Sequence, residues 1–115
     1  MKKTVIVGAS TDTSRYAYKA TVALQKNKHE AIPVGINAGE INGTSIITDK
    51  QKIEGVDTVT MYVGPRNQAS WYDYILSLNP KRVIFNPGAE NPEFEKILTD
   101  KGIQVEEACT LVLLS

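Results

Sequence analysis

The first structural unit is predicted by the stretch Thr4-Val5-Ile6-Val7-Gly8-Ala9-Ser10-Thr11-Asp12-Thr13-Ser14-Arg15. Residues 4–7 form a continuous β-branched, apolar run, which is typical of a central parallel strand buried on both faces. Thr13 or Ser14 can cap a following helix, which we expect to run to about Lys26. The inward face of that helix is predicted to consist of Ala17, Ala20, Thr21 and Leu24. This stretch therefore predicts a strand, a glycine turn and a helix.

The same alternation continues to the end of the chain. Further strands are predicted at residues 30–36, 57–63 and 82–85, near Val105, and at residues 110–114. A helix over residues 68–78, with Tyr72, Ile75 and Leu76 inward, is expected to stop at Asn79-Pro80. Another begins at Asn91-Pro92, a cap followed by a first-turn proline, and ends before Gly102. Asn42-Gly43 predicts a tight hairpin turn.

Repeated β–α–β units with right-handed crossovers build a parallel sheet with helices on both faces. The sequence therefore predicts an α/β fold, a single-domain Rossmann-like three-layer sandwich with a mainly parallel sheet of five or six strands. With 115 residues the chain has the size of one domain, so residues 1–115 are expected to form one unit.

Composition limits the classes of partner. Thirteen basic and thirteen acidic residues cancel, so no broad positive field favours nucleic acid or an anionic membrane, and an anionic ligand must be held locally. The apolar run after Met1 is too short for a signal peptide or a membrane span. A single cysteine, Cys109, cannot form an intramolecular disulfide. We therefore predict a cytoplasmic protein that binds neither nucleic acid nor membrane.

The loop after the first strand carries the strongest functional signal. In parallel sheets ligands bind beyond the carboxyl ends of the strands. Gly8 allows close backbone approach, the hydroxyls that follow can donate to phosphate, and the start of a helix presents free N–H groups. Arg15 adds a guanidinium where the helix dipole disfavours a cation, which makes sense if an anion lies opposite. The alternative is an ordinary turn with a solvated arginine.

Several better-known sites are absent from the sequence. Ser10 and Thr13 stand at the second and third glycine positions of the dinucleotide-binding fingerprint, and Asn37 rather than an acid follows the second strand. No P-loop motif and no Tyr-x-x-x-Lys pair occurs. These differences weaken an NAD-binding interpretation.

The order of short motifs resembles the small bacterial CoA-binding protein family, over nearly the whole chain. The motifs are Gly8-Ala9-Ser10 with Arg15, Pro33-Val34 leading to Asn37 and Gly43, Asn86-Pro87-Gly88-Ala89 with Glu93, and Cys109. That family shares its fold with the CoA-binding domain of the succinyl-CoA synthetase α subunit.

The resemblance implies coenzyme A or an acyl-CoA as the ligand. Gly8, Ser10 and Arg15 would meet its phosphates, with Asn37 beside the nucleotide. The cofactor-binding residues predicted in full are Gly8, Ala9, Ser10, Thr11, Thr13, Arg15, Asn37, Gly43, Tyr62, Val63, Pro65, Asn86, Pro87 and Gly88. No catalytic or metal-binding residue is predicted.

Six other residues with reactive or aromatic side chains are expected to have structural or surface roles. A lone His29 lacks the partners of a metal site and is expected at the surface. Cys109 is expected to be buried and structural, since no base lies near it in the sequence. Trp71 and Tyr72 are assigned to packing. Glu90 and Glu93 could suggest paired acids, but Glu93 is already explained by the helix dipole.

Three functions are compatible with the sequence. The sequence favours a non-catalytic module that binds CoA or acyl-CoA, and leaves the existence of any catalytic activity undecided. The alternatives are an NAD(P)-binding oxidoreductase-like protein and a ligand-free protein-interaction domain, because a fold alone does not establish function. Whether the chain forms a homodimer is also left open.

Overall fold

Strands and helices alternate along residues 2–114, the part of the chain that the computed structural model describes. The strands are β1 (Lys3–Val7), β2 (Glu30–Val34), β3 (Glu40–Ile41), β4 (Thr44–Ser45), β5 (Thr58–Met61), β6 (Arg82–Phe85) and β7 (Gln104–Glu107). The helices are α1 (Tyr16–Lys26), α2 (Tyr72–Leu78), α3 (Pro92–Asp100) and α4 (Thr110–Leu113). Two 3-10 turns, Pro65–Asn67 and Ala69–Trp71, precede α2.

The central sheet has five strands in the order β2-β1-β5-β6-β7, and each neighbouring pair is parallel. β3 and β4 form a separate antiparallel hairpin. The chain runs outward from β1 to β2 and then crosses back to β5 on the other side of β1. The strand order therefore reverses between β1 and β5, and this fold class places its ligands at such a switch point. The predicted fold class is confirmed, with five strands in the sheet.

Helices cover both faces of the sheet. α2 and α3 bury one face, where Phe85 and Phe94 are fully buried at the centre of the larger core cluster with their rings 6.0 Å apart. Burial of one such side chain contributes about 1.5–3 kcal/mol relative to exposure. α1 covers the other face through the side chains predicted to point inward, Ala17, Ala20, Thr21 and Leu24, all of which are buried. Small residues let α1 lie close to β1.

The hairpin and the cap of α3 follow their predicted turn chemistry. Asn42 and Gly43 connect β3 and β4 with φ values of 46° and 84°, the paired positive angles that favour Asn-Gly. The Asn91 side chain accepts a hydrogen bond from the Phe94 N–H at 3.2 Å, as the N-cap of α3. Both predictions are confirmed.

α1 begins later than predicted, at Tyr16, with Arg15 rather than Thr13 or Ser14 at its N-cap. Asp12 is the reason, because its carboxylate accepts from the Ser14 N–H and its carbonyl accepts from the Arg15 N–H, each at 3.0 Å. The chain thus completes a turn over residues 12–15 before it can become helical.

The second strand ends at Val34 rather than at residue 36. Gly35 donates its N–H to the Ile47 carbonyl at 3.0 Å, which takes the backbone out of the ladder with β1. The predicted helix over residues 68–78 is likewise shorter, since its first part is a 3-10 turn and α2 starts at Tyr72. Ile75 is fully buried there, whereas Tyr72 and Leu76 are half-buried.

The prediction of a strand at residues 110–114 is wrong, because Thr110–Leu113 is the helix α4. Tertiary hydrogen bonds decide this segment. The Thr110 N–H donates to the Asn86 side chain at 2.9 Å, and the hydroxyls of Thr110 and Thr60 are 2.7 Å apart. Because these bonds fix residue 110, α4 packs against α1. In residues 2–114 no helix has the length and apolar character needed to cross a bilayer.

Candidate functional site

A cleft of about 800 Å³ opens at the carboxyl ends of β1, β2 and β5, at the switch point of the sheet. Three segments line it: the β1–α1 loop (residues 8–15), the β2 loop (residues 35–38) and the β5–α2 segment (residues 62–71). The lining residues are Gly8, Ala9, Ser10, Thr11, Arg15, Gly35, Ile36, Asn37, Ala38, Tyr62, Val63, Gly64, Arg66, Asn67, Ala69, Ser70 and Trp71.

The β1–α1 loop is fixed at its start and open further along. Gly8 and Ala9 both donate their N–H groups to the Val34 carbonyl, at 2.9 and 3.0 Å. Gly8 has a φ of 97°, and a Cβ there would lie 3.1 Å from Val63 Cγ2, so glycine lets the loop pass close to the end of β5. These contacts hold the base of the loop against both neighbouring strands.

Backbone donors remain available beyond that base. The Asp12 N–H donates to Ser10 Oγ at 3.0 Å, and Asp12 also engages Ser14 and Arg15. Within residues 2–114, the N–H groups of Ser10, Thr11 and Thr13 make no hydrogen bond. Three free donors next to the start of an 11-residue helix with no acid in its first turn form an environment that favours an anion.

Asp12 and Arg15 form an exposed pair beside these donors. Arg15 Nε lies 3.8 Å from Asp12 Oδ2, with both side chains more than half exposed. Hydrogen bonds from Ser14, together with Arg15, hold the pKa of Asp12 below its ordinary value. Asp12 is therefore a carboxylate at neutral pH. Its side chain is exposed to solvent, stabilises the turn over residues 12–15 and contacts Arg15.

The β5–α2 segment forms the opposite wall of the cleft. Gln68 anchors it: this side chain is fully buried, and its amide donates to the carbonyls of Val63 at 2.8 Å and Ala89 at 2.6 Å. Its oxygen accepts from Asn91 Nδ2 at 3.0 Å. A buried amide with its hydrogen bonds satisfied fixes the position of the backbone that it binds.

Tyr62 directly follows β5 and lines the cleft. Burial raises the pKa of Tyr62 to about 12, which keeps the phenol neutral at physiological pH. Its hydroxyl is buried near the Thr60 and Thr110 hydroxyls but makes no hydrogen bond of good geometry within the described residues. Tyr62 therefore adds no charge to the cleft lining.

Eight of the predicted site residues line the cleft: Gly8, Ala9, Ser10, Thr11, Arg15, Asn37, Tyr62 and Val63. The other six do not line it: Thr13, Gly43, Pro65, Asn86, Pro87 and Gly88. Gly43 is at the tip of the β3–β4 hairpin, and Pro65 opens a 3-10 turn between two lining residues. Contact of these six with a ligand stays a prediction.

Asn86 has a structural task. Its Nδ2 donates to Thr60 Oγ1 at 2.7 Å and to the Met61 carbonyl at 2.9 Å, while its Oδ1 accepts from the Thr110 N–H. The side chain is almost fully buried, so it connects β5, β6 and α4 below the cleft.

The residues that were predicted to have structural or surface roles lie mostly away from the cleft. His29 is at the amino end of the sheet, where its Nδ1 accepts from the Lys2 N–H at 3.1 Å. Cys109 is half-buried at the N-cap of α4. Glu90 accepts from the Gly88 N–H at 2.8 Å, and Glu93 from the Tyr72 hydroxyl at 3.1 Å. In the described part of the chain no group of three or more His, Cys, Asp or Glu could hold a metal ion.

Nine lining residues were missing from the predicted set, namely Gly35, Ile36, Ala38, Gly64, Arg66, Asn67, Ala69, Ser70 and Trp71. Among them, Arg66 adds a charge and Ile36 adds an exposed apolar side chain. Both follow a strand of the central sheet, in loops that the carboxyl-end rule selects. An arginine directly after Gly64-Pro65 and an isoleucine directly before Asn37 were the available signals. Trp71 was assigned to packing, which is confirmed, since it is 6% exposed, and it also borders the cleft.

Comparison with known proteins gives both a family and related structures. A family model described as the CoA binding domain matches residues 2–115. A crystal structure of an uncharacterized protein is 58% identical, with a TM-score of 0.97 over 99% of this chain and 94% of that chain. A comparison with curated proteins found no match.

Two further structures are more distant. A Thermus thermophilus protein is 28% identical, with a TM-score of 0.85 over 99% of this chain and 91% of its own. A hypothetical protein from Pyrococcus horikoshii OT3 is 21% identical, with a TM-score of 0.88 over 96% of this chain and 80% of that one, a likeness of fold alone.

Proposed function

We propose, from the premise that the chain belongs to the CoA-binding domain family, that it binds coenzyme A or an acyl-CoA in the cleft at the switch point. One observation carries this proposal: among residues 2–114, the charged residues that line the cleft are Arg15 and Arg66, both cationic, on a chain whose formal net charge is zero. A ligand with several phosphates suits such a site.

The pyrophosphate is assigned to the β1–α1 loop. The free N–H groups of Ser10, Thr11 and Thr13 supply donors, and Arg15 supplies a charge-assisted partner. Ala9 also lines the cleft, but its N–H is already bonded to the Val34 carbonyl. Its part is to hold the loop in place, together with Gly8.

The two ends of the ligand are assigned to the two sides of β1. The adenine base lies toward the β2 loop, where Asn37 offers an amide and Ile36, 81% exposed, offers apolar surface, and the ribose lies between the two walls. The pantetheine arm lies toward Tyr62 and Val63, with residues 86–88 beyond them. The chemistry of this lining, made of hydroxyls, amides, guanidiniums and a neutral phenol, supports binding rather than proton transfer at neutral pH.

Calorimetric titration with CoA, NADH and ATP tests this function. We expect saturable CoA binding that Arg15→Ala weakens by about 1.5–3 kcal/mol, or about 10- to 150-fold, the range for a hydrogen bond to a charged group. Lys81→Ala is the matched control, because it removes one exposed positive charge next to the start of β6, at the other end of the sheet. Absence of CoA binding at millimolar ligand contradicts the proposal, and tight NADH binding would favour the oxidoreductase-like alternative.

A further inference from the structure

Arg66 occupies the cleft wall opposite the β1–α1 loop. It lies in the 3-10 turn Pro65–Asn67, directly after β5, and its side chain is exposed. Arg15 follows β1, the neighbouring strand. The two arginines therefore stand on separate chain segments on either side of the switch point, and both line one cleft.

The backbone that carries Arg66 is held firmly. Pro65 opens the turn with its restricted φ, and the Asn67 N–H donates to the Gly64 carbonyl at 3.0 Å. Two residues after Arg66, the fully buried Gln68 binds the carbonyls of Val63 and Ala89. The backbone at Arg66 is therefore held in place by the contacts of its neighbours.

The Arg66 guanidinium has donors to offer. It makes no hydrogen bond and no ion pair with another residue in the range 2–114, whereas Arg15 has Asp12 nearby at 3.8 Å. Within the described part of the chain, no acidic residue lines the cleft and could compete for this guanidinium. A planar guanidinium in this setting matches a phosphate or a carboxylate, with two parallel hydrogen bonds.

We propose that Arg66 binds a second anionic group of the ligand, separate from the pyrophosphate at the β1–α1 loop. The inference rests on the proposed function, and it makes Arg66 a specificity-determining residue. The anion is either the ribose 3′-phosphate of coenzyme A or a carboxylate at the acyl end of an acidic acyl-CoA. These two sources share one chemistry and can be separated by the choice of ligand.

Four ligands and four proteins form the test. Calorimetry compares CoA with dephospho-CoA, and acetyl-CoA with succinyl-CoA, on the wild type, Arg66→Ala, Arg66→Lys and the control Lys81→Ala. We expect the wild type and Lys81→Ala to prefer the ligand with the extra anion in one of the two pairs by about tenfold or more. Arg66→Ala should abolish that preference, and Arg66→Lys should restore part of it.

The outcomes separate this inference from the proposed function. A lost preference for CoA over dephospho-CoA assigns the 3′-phosphate, and a lost preference for succinyl-CoA assigns the carboxylate. If Arg66→Ala leaves both ratios unchanged, or weakens all four ligands equally, the second-anion assignment is wrong although CoA binding stands. If the wild type binds none of the four, both proposals fail.

Discussion

Asp12 is an acid within a loop assigned to phosphates. Its carboxylate accepts from the Ser14 N–H at 3.0 Å and from the Ser14 hydroxyl at 2.6 Å, so it builds the turn that leads into α1. The same carboxylate lies next to Arg15. Asp12 therefore stabilises the shape of the loop while it competes with an incoming anion for the arginine.

Substitution Asp12→Asn should strengthen CoA binding. The amide oxygen can still accept from Ser14, but the negative charge beside the phosphates and Arg15 is removed. For an exposed pair we expect a gain of about two- to fivefold in affinity, which shrinks at high salt. Calorimetry at low and high ionic strength measures this, and a loss of affinity in the variant would mean that the turn matters more than the charge.

The pKa of Asp12 also gives the sign of a pH effect. The pKa of Asp12 is lower in the folded protein than in the unfolded chain. Its carboxylate therefore contributes fully to stability at a pH above the pKa of the unfolded chain, and this contribution is lost as the pH falls through the pKa of the folded protein. Between pH 6 and pH 8 Asp12 stays ionised. The advantage of Asp12→Asn in CoA affinity should therefore be constant over that window.

The residues of the β1–α1 loop could be predicted from the sequence because they directly follow a strand. Ser10 and Arg15 stand within a few positions of Gly8, so local pattern and position in the fold agree. Arg66 was not selected because its importance depends on β5 lying beside β1, a pairing between segments about fifty residues apart. The buried contacts of Asn86 arise in the same way from distant partners.

At the scale of elements, the β2 loop and the β1–α1 loop touch through backbone. A Cβ on Gly35 would lie 2.6 Å from the Ala9 carbonyl oxygen, closer than a real Cβ contact allows. At Gly64, on the opposite wall, no other described residue has an atom within 4 Å of such a Cβ. The two glycines thus line the same cleft, but glycine is required by packing at only one of them.

Substitution Gly35→Ala should displace the base of the β1–α1 loop, since the obstructing atom belongs to the backbone. We expect a loss of about 1–3 kcal/mol in the free energy of unfolding and weaker CoA binding. Gly64→Ala is the matched control and should change neither quantity appreciably. Chemical denaturation and calorimetry measure the two effects. Equal behaviour of the variants would contradict the tight packing of the two loops.

The elements themselves were predictable to different degrees. β1, β6 and α3 carry their own signals, namely apolar runs and the Asn91-Pro92 start, and they lie where expected. α4 has the composition of a strand, but hydrogen bonds between Thr110 and the side chains of Asn86 and Thr60 hold the start of the segment in place. Such tertiary contacts override local propensity, and the sequence does not display them.

At the scale of the whole molecule, the cleft joins two halves of the sheet. β2 and β1 carry the loops of one wall, and β5 leads into the other, with β6 and β7 beyond it. A ligand that contacts Arg15 and Arg66 together bridges these halves. Since only the folded protein has both walls in place, binding adds to the free energy of unfolding.

Coenzyme A should therefore raise the thermal stability of the entire chain. At a free ligand concentration of about 100 times Kd, mass action adds about 2.7 kcal/mol, which corresponds to a rise in Tm of roughly 10 °C for a domain of this size. Scanning calorimetry of the wild type, Arg15→Ala and Lys81→Ala at one fixed CoA concentration measures the shift. The shift should be much smaller for Arg15→Ala and unchanged for Lys81→Ala. Because an equal shift in all three proteins would mean that CoA is held elsewhere on the fold, this comparison tests the location of the site as well as its affinity.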